Sequence, residues 1–208
     1  MQKHSLILAA ALFALLSGCS DTPTSTATKK EPEKVEPVTG QTALYRMYQS
    51  ARTWASDAKV LKLSSLHMTE APDGPPASGA AAAWMATFVS ESKSESRGYT
   101  YSVVEGQGNL HKGAFAGPSE SWAGPRGVNS PFLIAAVKVD TDAAYKTALE
   151  KAADYEKKNP GKPITYILEK TTKHPDPAWR VLWGESVQSS NFSVLVDAST
   201  GAYLETVH

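Results

Sequence analysis

The sequence predicts an α+β protein made of two tandem units, each a helix packed on an antiparallel sheet. Three observations carry this. The stretches Ala83-Trp84-Met85-Ala86-Thr87-Phe88 and Ala178-Trp179-Arg180-Val181-Leu182-Trp183 each place aromatics four apart. On a strand that spacing puts both rings on one face, because successive side chains alternate. Each stretch is followed by Glu-Ser (Glu91-Ser92, Glu185-Ser186), a polar turn and an alternating strand, Tyr99 to Val103 or Phe192 to Val196. That is a hairpin pattern used twice. Ahead of each hairpin lies a helical stripe and then one further strand.

The first unit is placed at residues 42–115. Leu44, Met47, Tyr48, Ala51, Trp54 and Ala55 recur at three- and four-residue spacing, the mark of a helix with one buried face. Val60 to Met68 follows as a strand, and Thr69 to Ala80, rich in Pro, Gly and Ala, as a long connection. Gly106 to Pro131 is glycine- and proline-rich, and its residues 116–131 read as the link between units. A link that long has a role of its own or folds onto the sheet.

The second unit, 132–208, opens with a predicted strand from Phe132 to Val139. Asp140 or Thr141 can cap a helix running to about Asn159. Ala144, Tyr145, Ala148, Leu149, Ala152 and Tyr155 share one face of it. Lys157 and Lys158 suit its C-terminal dipole, and Pro160-Gly161 stops it. Ile164, Tyr166 and Leu168 then alternate as a half-buried strand. A compact Lys173-His174-Pro175-Asp176-Pro177 stands where the first unit has its long connection. Two such units can share one continuous sheet.

Ahead of both units, Lys3 and His4 precede an apolar run from Leu6 to Leu16, and small residues close it. Residues 1–18 read as a secretory signal peptide. The run is too short to span a bilayer, which takes about 20 residues. Leu16-Ser17-Gly18-Cys19 resembles the lipobox of bacterial lipoproteins. The resemblance implies that the Cys19 sulfur receives a diacylglycerol and that Cys19 becomes the acylated N-terminus, palmitate among its chains. Each buried methylene is worth about 0.8 kcal/mol, so two or more chains make a stable anchor. In the Gram-negative sorting scheme an Asp after that cysteine retains the protein in the inner membrane. Ser20 there favours the outer membrane, facing the periplasm. Residues 19–41 read as a tether, with three prolines between Ser20 and Gln41 and too little apolar surface to fold. As a coil it reaches roughly 25 Å.

Lys+Arg and Asp+Glu both number 21, so the formal charge is zero, and no basic stripe points to nucleic acid. With one cysteine in the chain no intramolecular disulfide forms. Neither a nucleophile elbow, a dinucleotide fingerprint, a Walker loop nor a His-Glu-x-x-His pair is found, so no catalytic residue, cofactor or metal is expected. Glu91, Glu95, Glu105 and Glu185 are the carboxylates that could pair for acid–base work, but they fall in or beside turns. His67, His111, His174 and His208 are scattered. His67, near a strand end, reads as a satisfied, half-buried histidine.

The second unit resembles the PepSY family between about Val139 and Leu204. The resemblance rests on the alanine-rich helix Ala143 to Tyr155, on Trp179 to Trp183, and on the ending Val194-Leu195-Val196-Asp197-Ala198-Ser199-Thr200-Gly201-Ala202-Tyr203-Leu204. The first unit, about 42–106, matches more weakly, with Gly106-Gln107-Gly108-Asn109 where Asp-Ala-Ser-Thr-Gly would stand. PepSY resemblance implies a helix on a small antiparallel sheet, cystatin-like in outline, and no catalytic residues. Some members are propeptide segments that chaperone and inhibit metallopeptidases of the thermolysin type; others are envelope modules that bind or modulate proteins. The expectation is therefore a lipid-anchored, non-catalytic envelope protein that binds a protein or peptide. The alternatives are a structural envelope lipoprotein, and a small-ligand carrier or hydrolase with a cleft between the units. Trp84, Trp179, Trp183 and Trp122 are the candidate binding residues. The first three pack in the core unless one aromatic set faces outward; Trp122 is an exposed anchor or a cap on the sheet edge.

Overall fold

A computed structural model describes residues 35–108, 110–125 and 129–208. The predicted signal peptide, Cys19 and most of the predicted tether lie outside these residues. The described chain runs β1 (Val38–Thr39), α1 (Gly40–Trp54), β2 (Lys59–Leu66), β3 (Ala80–Ala81), β4 (Ala83–Ser90), β5 (Glu95–Ser102), β6 (Gly113–Ser121), α2 (Thr141–Lys158), β7 (Ile164–Glu169), β8 (Ala178–Trp183), β9 (Ser193–Asp197) and β10 (Tyr203–Val207). Eight strands form one sheet in the order β10-β9-β8-β7-β2-β4-β5-β6, every neighbouring pair antiparallel. β1 and β3 make a separate two-stranded ribbon.

The order reads symmetrically outward from a central seam. β2-β4-β5-β6 and β7-β8-β9-β10 are two four-stranded meanders, each preceded by a helix, joined where Leu63 lies opposite Leu168. The α+β class and the helix-on-sheet packing are as the sequence predicts, and the two units share one continuous sheet. α1 packs on β2, β4, β5 and β6, and α2 on β8, β9 and β10. Both helices contribute to one hydrophobic core. The fully buried Trp84, Trp179, Trp183, Phe88 and Tyr99 anchor it.

The two halves repeat their aromatic geometry. The Trp84 indole N–H donates to the Val38 carbonyl at 3.0 Å, and Trp179 does the same to Val139 at 2.8 Å. In both cases the acceptor is the valine just before the residue that caps the following helix. Phe88 and Tyr99 meet edge to face at 5.4 Å, and Trp183 and Phe192 at 5.5 Å.

Three predicted features take another form. Residues 132–139 are not a strand. β2 is paired along one side by β4, and by β7 at Lys62, Leu63 and Ser64 on the other. That leaves Val60 free for a single bridge to Phe132. The chain then makes a short 3-10 turn, Ile134–Ala136, and the Lys138 and Val139 N–H groups both bond the Ala198 carbonyl. Residues 116–131 are not wholly a link, because β6 crosses from 113 to 121. Its Gly117-Pro118 falls at an irregularity in the pairing with β5, on an edge strand where proline's missing N–H leaves no ladder bond unmade. The structured body also begins before residue 42. Val38 is held by β3 and by Trp84, and the first N–H groups of α1 find acceptors far along the chain.

Those acceptors tie the halves together. Gly40 N–H donates to Thr141 Oγ1 at 3.0 Å, and Gln41 N–H to Asp140 Oδ1 at 2.9 Å. The same Asp140 oxygen accepts from Thr141 N–H at 2.7 Å. One carboxylate therefore serves the N-termini of both helices, while Thr39, at the capping position of α1, bonds no backbone N–H of that helix with its side chain. Gly40 has no room for a side chain. A Cβ there would stand 2.6 Å from Cη2 of Trp179, 2.8 Å from Cγ2 of Thr141 and 3.1 Å from Cη2 of Trp84.

Candidate functional site

Because Trp84, Ala86 and Phe88 point into the core, the alternation of β4 turns Met85 and Thr87 to the face opposite the helices. The register aligns Met85 with Thr100 and Thr100 with Phe115, making a row across β4, β5 and β6. Met85 is 46% exposed and Phe115 41%. Gly98, Gly117 and Pro118 add little bulk between them, and the result is a shallow depression of about 170 Å³. Its rim is polar. His111 lies against the Phe115 ring at 4.7 Å, and its Nδ1 meets Glu105 Oε1 at 2.5 Å. Glu105 also accepts the Lys112 N–H, and these contacts, the backbone bond first and His111 second, hold its carboxyl below the usual range.

The sheet has two edges. On the β6 side, Trp122 extends the ladder by one bond, its N–H donating to the Ser94 carbonyl at 2.8 Å, with its side chain half-buried. On the β10 side, Tyr203 is exposed beneath the Lys151 ammonium, 5.0 Å from the ring centroid. Glu205 there bonds Lys173 and, at 2.9 Å, His174, which together lower its pKa, Lys173 first.

A third cluster lies where β2 ends. His67 Nδ1 is 2.7 Å from Asp73 Oδ2, and its Nε2 is 2.9 Å from Thr165 Oγ1 on β7. An Asp–His–hydroxyl string has the outline of a nucleophilic relay. Here the hydroxyl is placed otherwise. Thr165 is 4% exposed and donates its proton to the Gly184 carbonyl at 2.6 Å, which leaves no hydroxyl proton for His67 to withdraw. The carboxylates singled out from sequence do not pair either. Glu91 bonds Lys59 at 2.7 Å, Glu105 bonds His111, and Glu185 acts on His67 only through its charge. Among the described residues, no three His, Cys, Asp or Glu side chains are grouped to hold a metal ion.

Of the four tryptophans singled out from sequence, Trp84, Trp179 and Trp183 are at most 1% exposed. All three pack in the core, Trp84 and Trp179 also donate to the chain, and the Trp183 indole N–H is buried without a hydrogen-bond partner among the described residues. Trp122 alone reaches the surface, at the edge of β6. Cys19 lies outside the described residues. Sequence reasoning passed over Met85 and Phe115. The available signal was phase: Met85 is a large apolar residue of β4 out of step with Trp84, Ala86 and Phe88, which share the core face. The junction between the halves is a hydrogen-bonded seam with a shared core beneath it, where the carrier reading would need a cleft.

No family model matches the sequence, and no curated protein matches it. Among solved structures, the chain is similar to a candidate lipoprotein from Clostridium difficile 630. The TM-score is 0.47 at 9% identity, covering 79% of this chain and 91% of that one.

Proposed function

We propose that this is a lipid-anchored protein of the bacterial cell envelope whose sheet binds another protein or peptide without catalysis. The observation that carries the anchoring is Leu16-Ser17-Gly18-Cys19 closing a short apolar leader. No helix among the described residues is long and apolar enough to cross a membrane, so acyl chains on Cys19 are the means of attachment this reading invokes. Binding is supported by the row Met85–Thr100–Phe115, an apolar strip with a polar rim beside the edge of β6 that no other described strand pairs. An extended segment can add to such an edge by main-chain bonds while neighbouring pockets take its side chains. The resemblance of residues 139–204 to PepSY modules points the same way. Placement in the outer membrane facing the periplasm follows from Ser20 if the cell has two membranes.

Two measurements test this. Mass spectrometry of the native N-terminus is expected to find an acylated Cys19, and Cys19→Ala to move the protein out of the membrane fraction. An unmodified thiol, or an alanine variant that stays with the membrane, refutes the anchor. A photo-crosslinker at Phe115 is expected to capture a defined envelope partner that the same group at Tyr203 does not. Equal capture at both edges, or capture undiminished by Met85→Lys, refutes the assigned surface.

A further inference from the structure

Residues 69–82, the connection between β2 and β4 with β3 inside it, form a strap across the two halves. The Tyr166 hydroxyl donates to the Pro76 carbonyl at 2.9 Å, and Thr141 Oγ1 donates to the Gly79 carbonyl at 2.5 Å. Gly79 sits so close to α2 that a Cβ would come within 2.2 Å of the Asp142 nitrogen. At its far end β3 pairs with β1, where the N-terminal segment enters the body.

His67 joins this strap to β7, its Nδ1 meeting Asp73 on the strap and its Nε2 meeting Thr165 on β7. Asp73 Oδ2 is an acceptor, so Nδ1 must carry a proton. Asp73's other oxygen accepts the Ala82 N–H at 2.9 Å, which folds the strap back on itself. Thr165 has already committed its one proton to the Gly184 carbonyl, so toward His67 it too is an acceptor, and Nε2 must carry a proton as well. Both bonds are made together only by the imidazolium. A neutral ring must give up one of them, or Thr165 must turn away from Gly184 and leave that carbonyl unpaired.

We propose that Asp73–His67–Thr165 is a proton-operated latch: protonated His67 clamps the strap to the seam between the halves, and loss of that proton releases one of its two bonds and loosens the strap. The charged groups facing His67 are Asp73 on the strap and Glu185 just after β8, both acidic and both favouring the cation. His67's side chain is 27% exposed, so protons exchange without unfolding. The bond to Asp73 is the largest influence raising its pKa above the ordinary histidine value, with burial opposing. A pKa raised in the closed state makes the clamp fully present below the ordinary value, and lost as pH rises through the raised one.

The test is a pH titration of the full chain, following the His67 ring by NMR and strap amides by hydrogen exchange corrected for base catalysis. The His67 midpoint is expected above that of an unperturbed histidine, and the protection of the Ala82 amide is expected to fall over the same pH interval. Linkage ties the two readouts: the factor by which protection falls equals the ratio of His67 dissociation constants with the strap open and closed. Asp73→Asn, which removes the negative charge, and Thr165→Val, which removes an acceptor, are expected to lower the midpoint. A wild-type midpoint at or below the ordinary value overturns the latch, as does strap protection that stays level through the His67 titration. The wild-type measurement needs no variant to fold.

Discussion

Replacing Asp140 by Ala removes one oxygen that two backbone donors share. Gln41 N–H at 2.9 Å and Thr141 N–H at 2.7 Å both point to Oδ1, while the Thr141 hydroxyl gives its one proton to the Gly79 carbonyl. Losing a helix N-cap costs about 1 kcal/mol. Here one side chain serves two helices, so the expected loss is about 2 kcal/mol. For a body of this size each kcal/mol lowers Tm by roughly 2–4 °C, giving a fall of roughly 4–8 °C. Urea denaturation followed by far-UV circular dichroism and by tryptophan fluorescence measures it. Both probes are expected to report one transition at a lower midpoint, because Trp84 belongs to one half and Trp179 and Trp183 to the other. Asp140→Asn, which keeps a capping oxygen, is expected to recover most of the loss, whereas Thr39→Ala, at a position that caps no backbone N–H with its side chain, should cost little. A loss under about 0.5 kcal/mol for Asp140→Ala, within the range of ordinary surface changes, would refute the shared cap. So would two separated transitions, since the halves would then unfold apart.

Gly40→Ala keeps the caps but drives a methyl into two fully buried indoles and the Thr141 methyl, and overpacking of that kind costs about 1–3 kcal/mol. Unchanged stability in urea would show that the indoles yield freely. Asp57 accepts from the Ser90 hydroxyl at 2.7 Å and the Ser92 N–H at 2.9 Å, and these bonds bring its pKa down to about 2. A depressed carboxyl pKa adds stability above the unfolded value, lost as pH falls through the folded one. The wild type is therefore expected to lose more stability than Asp57→Asn between about pH 4 and pH 2; parallel curves would remove Asp57 from the account.

The parts of the fold legible in sequence are those fixed by neighbours a few residues away. The α2 stripe, the Asp140 cap and the Asp197–Gly201 turn are all local, whereas β7, expected to alternate as a half-buried strand, is buried on both faces from Ile164 to Leu168 because it lies in the middle of the sheet. Asp197 Oδ1 does bond the Ser199 and Thr200 N–H groups, both at 2.8 Å, and Gly201 does take a positive φ of 78°. What escaped depends on distant partners. Gly40 and Gln41 belong to a helix because Thr141 and Asp140 receive their N–H groups from about a hundred residues away. Residues 113–121 belong to a strand because β5 offers an edge, and Gly117-Pro118 reads as a loop until that edge is in place. Phe132 to Val139 is apolar for burial rather than pairing, with Phe132, Ile134 and Val137 all buried. His67 was readable as a satisfied histidine, but Asp73 lies in a stretch without periodicity, and Thr165 is 98 residues away.

The same long-range contacts explain why the halves are one body although the sequence divides them into two units. A lone half would be a single helix on a four-stranded meander, a size at which one hydrophobic core supplies only a few kcal/mol. It would also carry two open strand edges, so two separate halves would expose four. Joining β2 to β7 removes two of those four, which is the more effective because exposed edges invite pairing with other chains. The seam alone, three residue pairs long, would be a weak joint. It is reinforced on the helix side by the crossed caps at Gly40, Gln41, Asp140 and Thr141, and by the strap that reaches α2 at Gly79. These bonds satisfy N–H groups and hydroxyls that a separated half would leave to water, so the first turn of α1 depends on residues in the second half. Folding of either half is then conditional on the other, and a fragment cut in the link between β6 and α2 is expected to lose both.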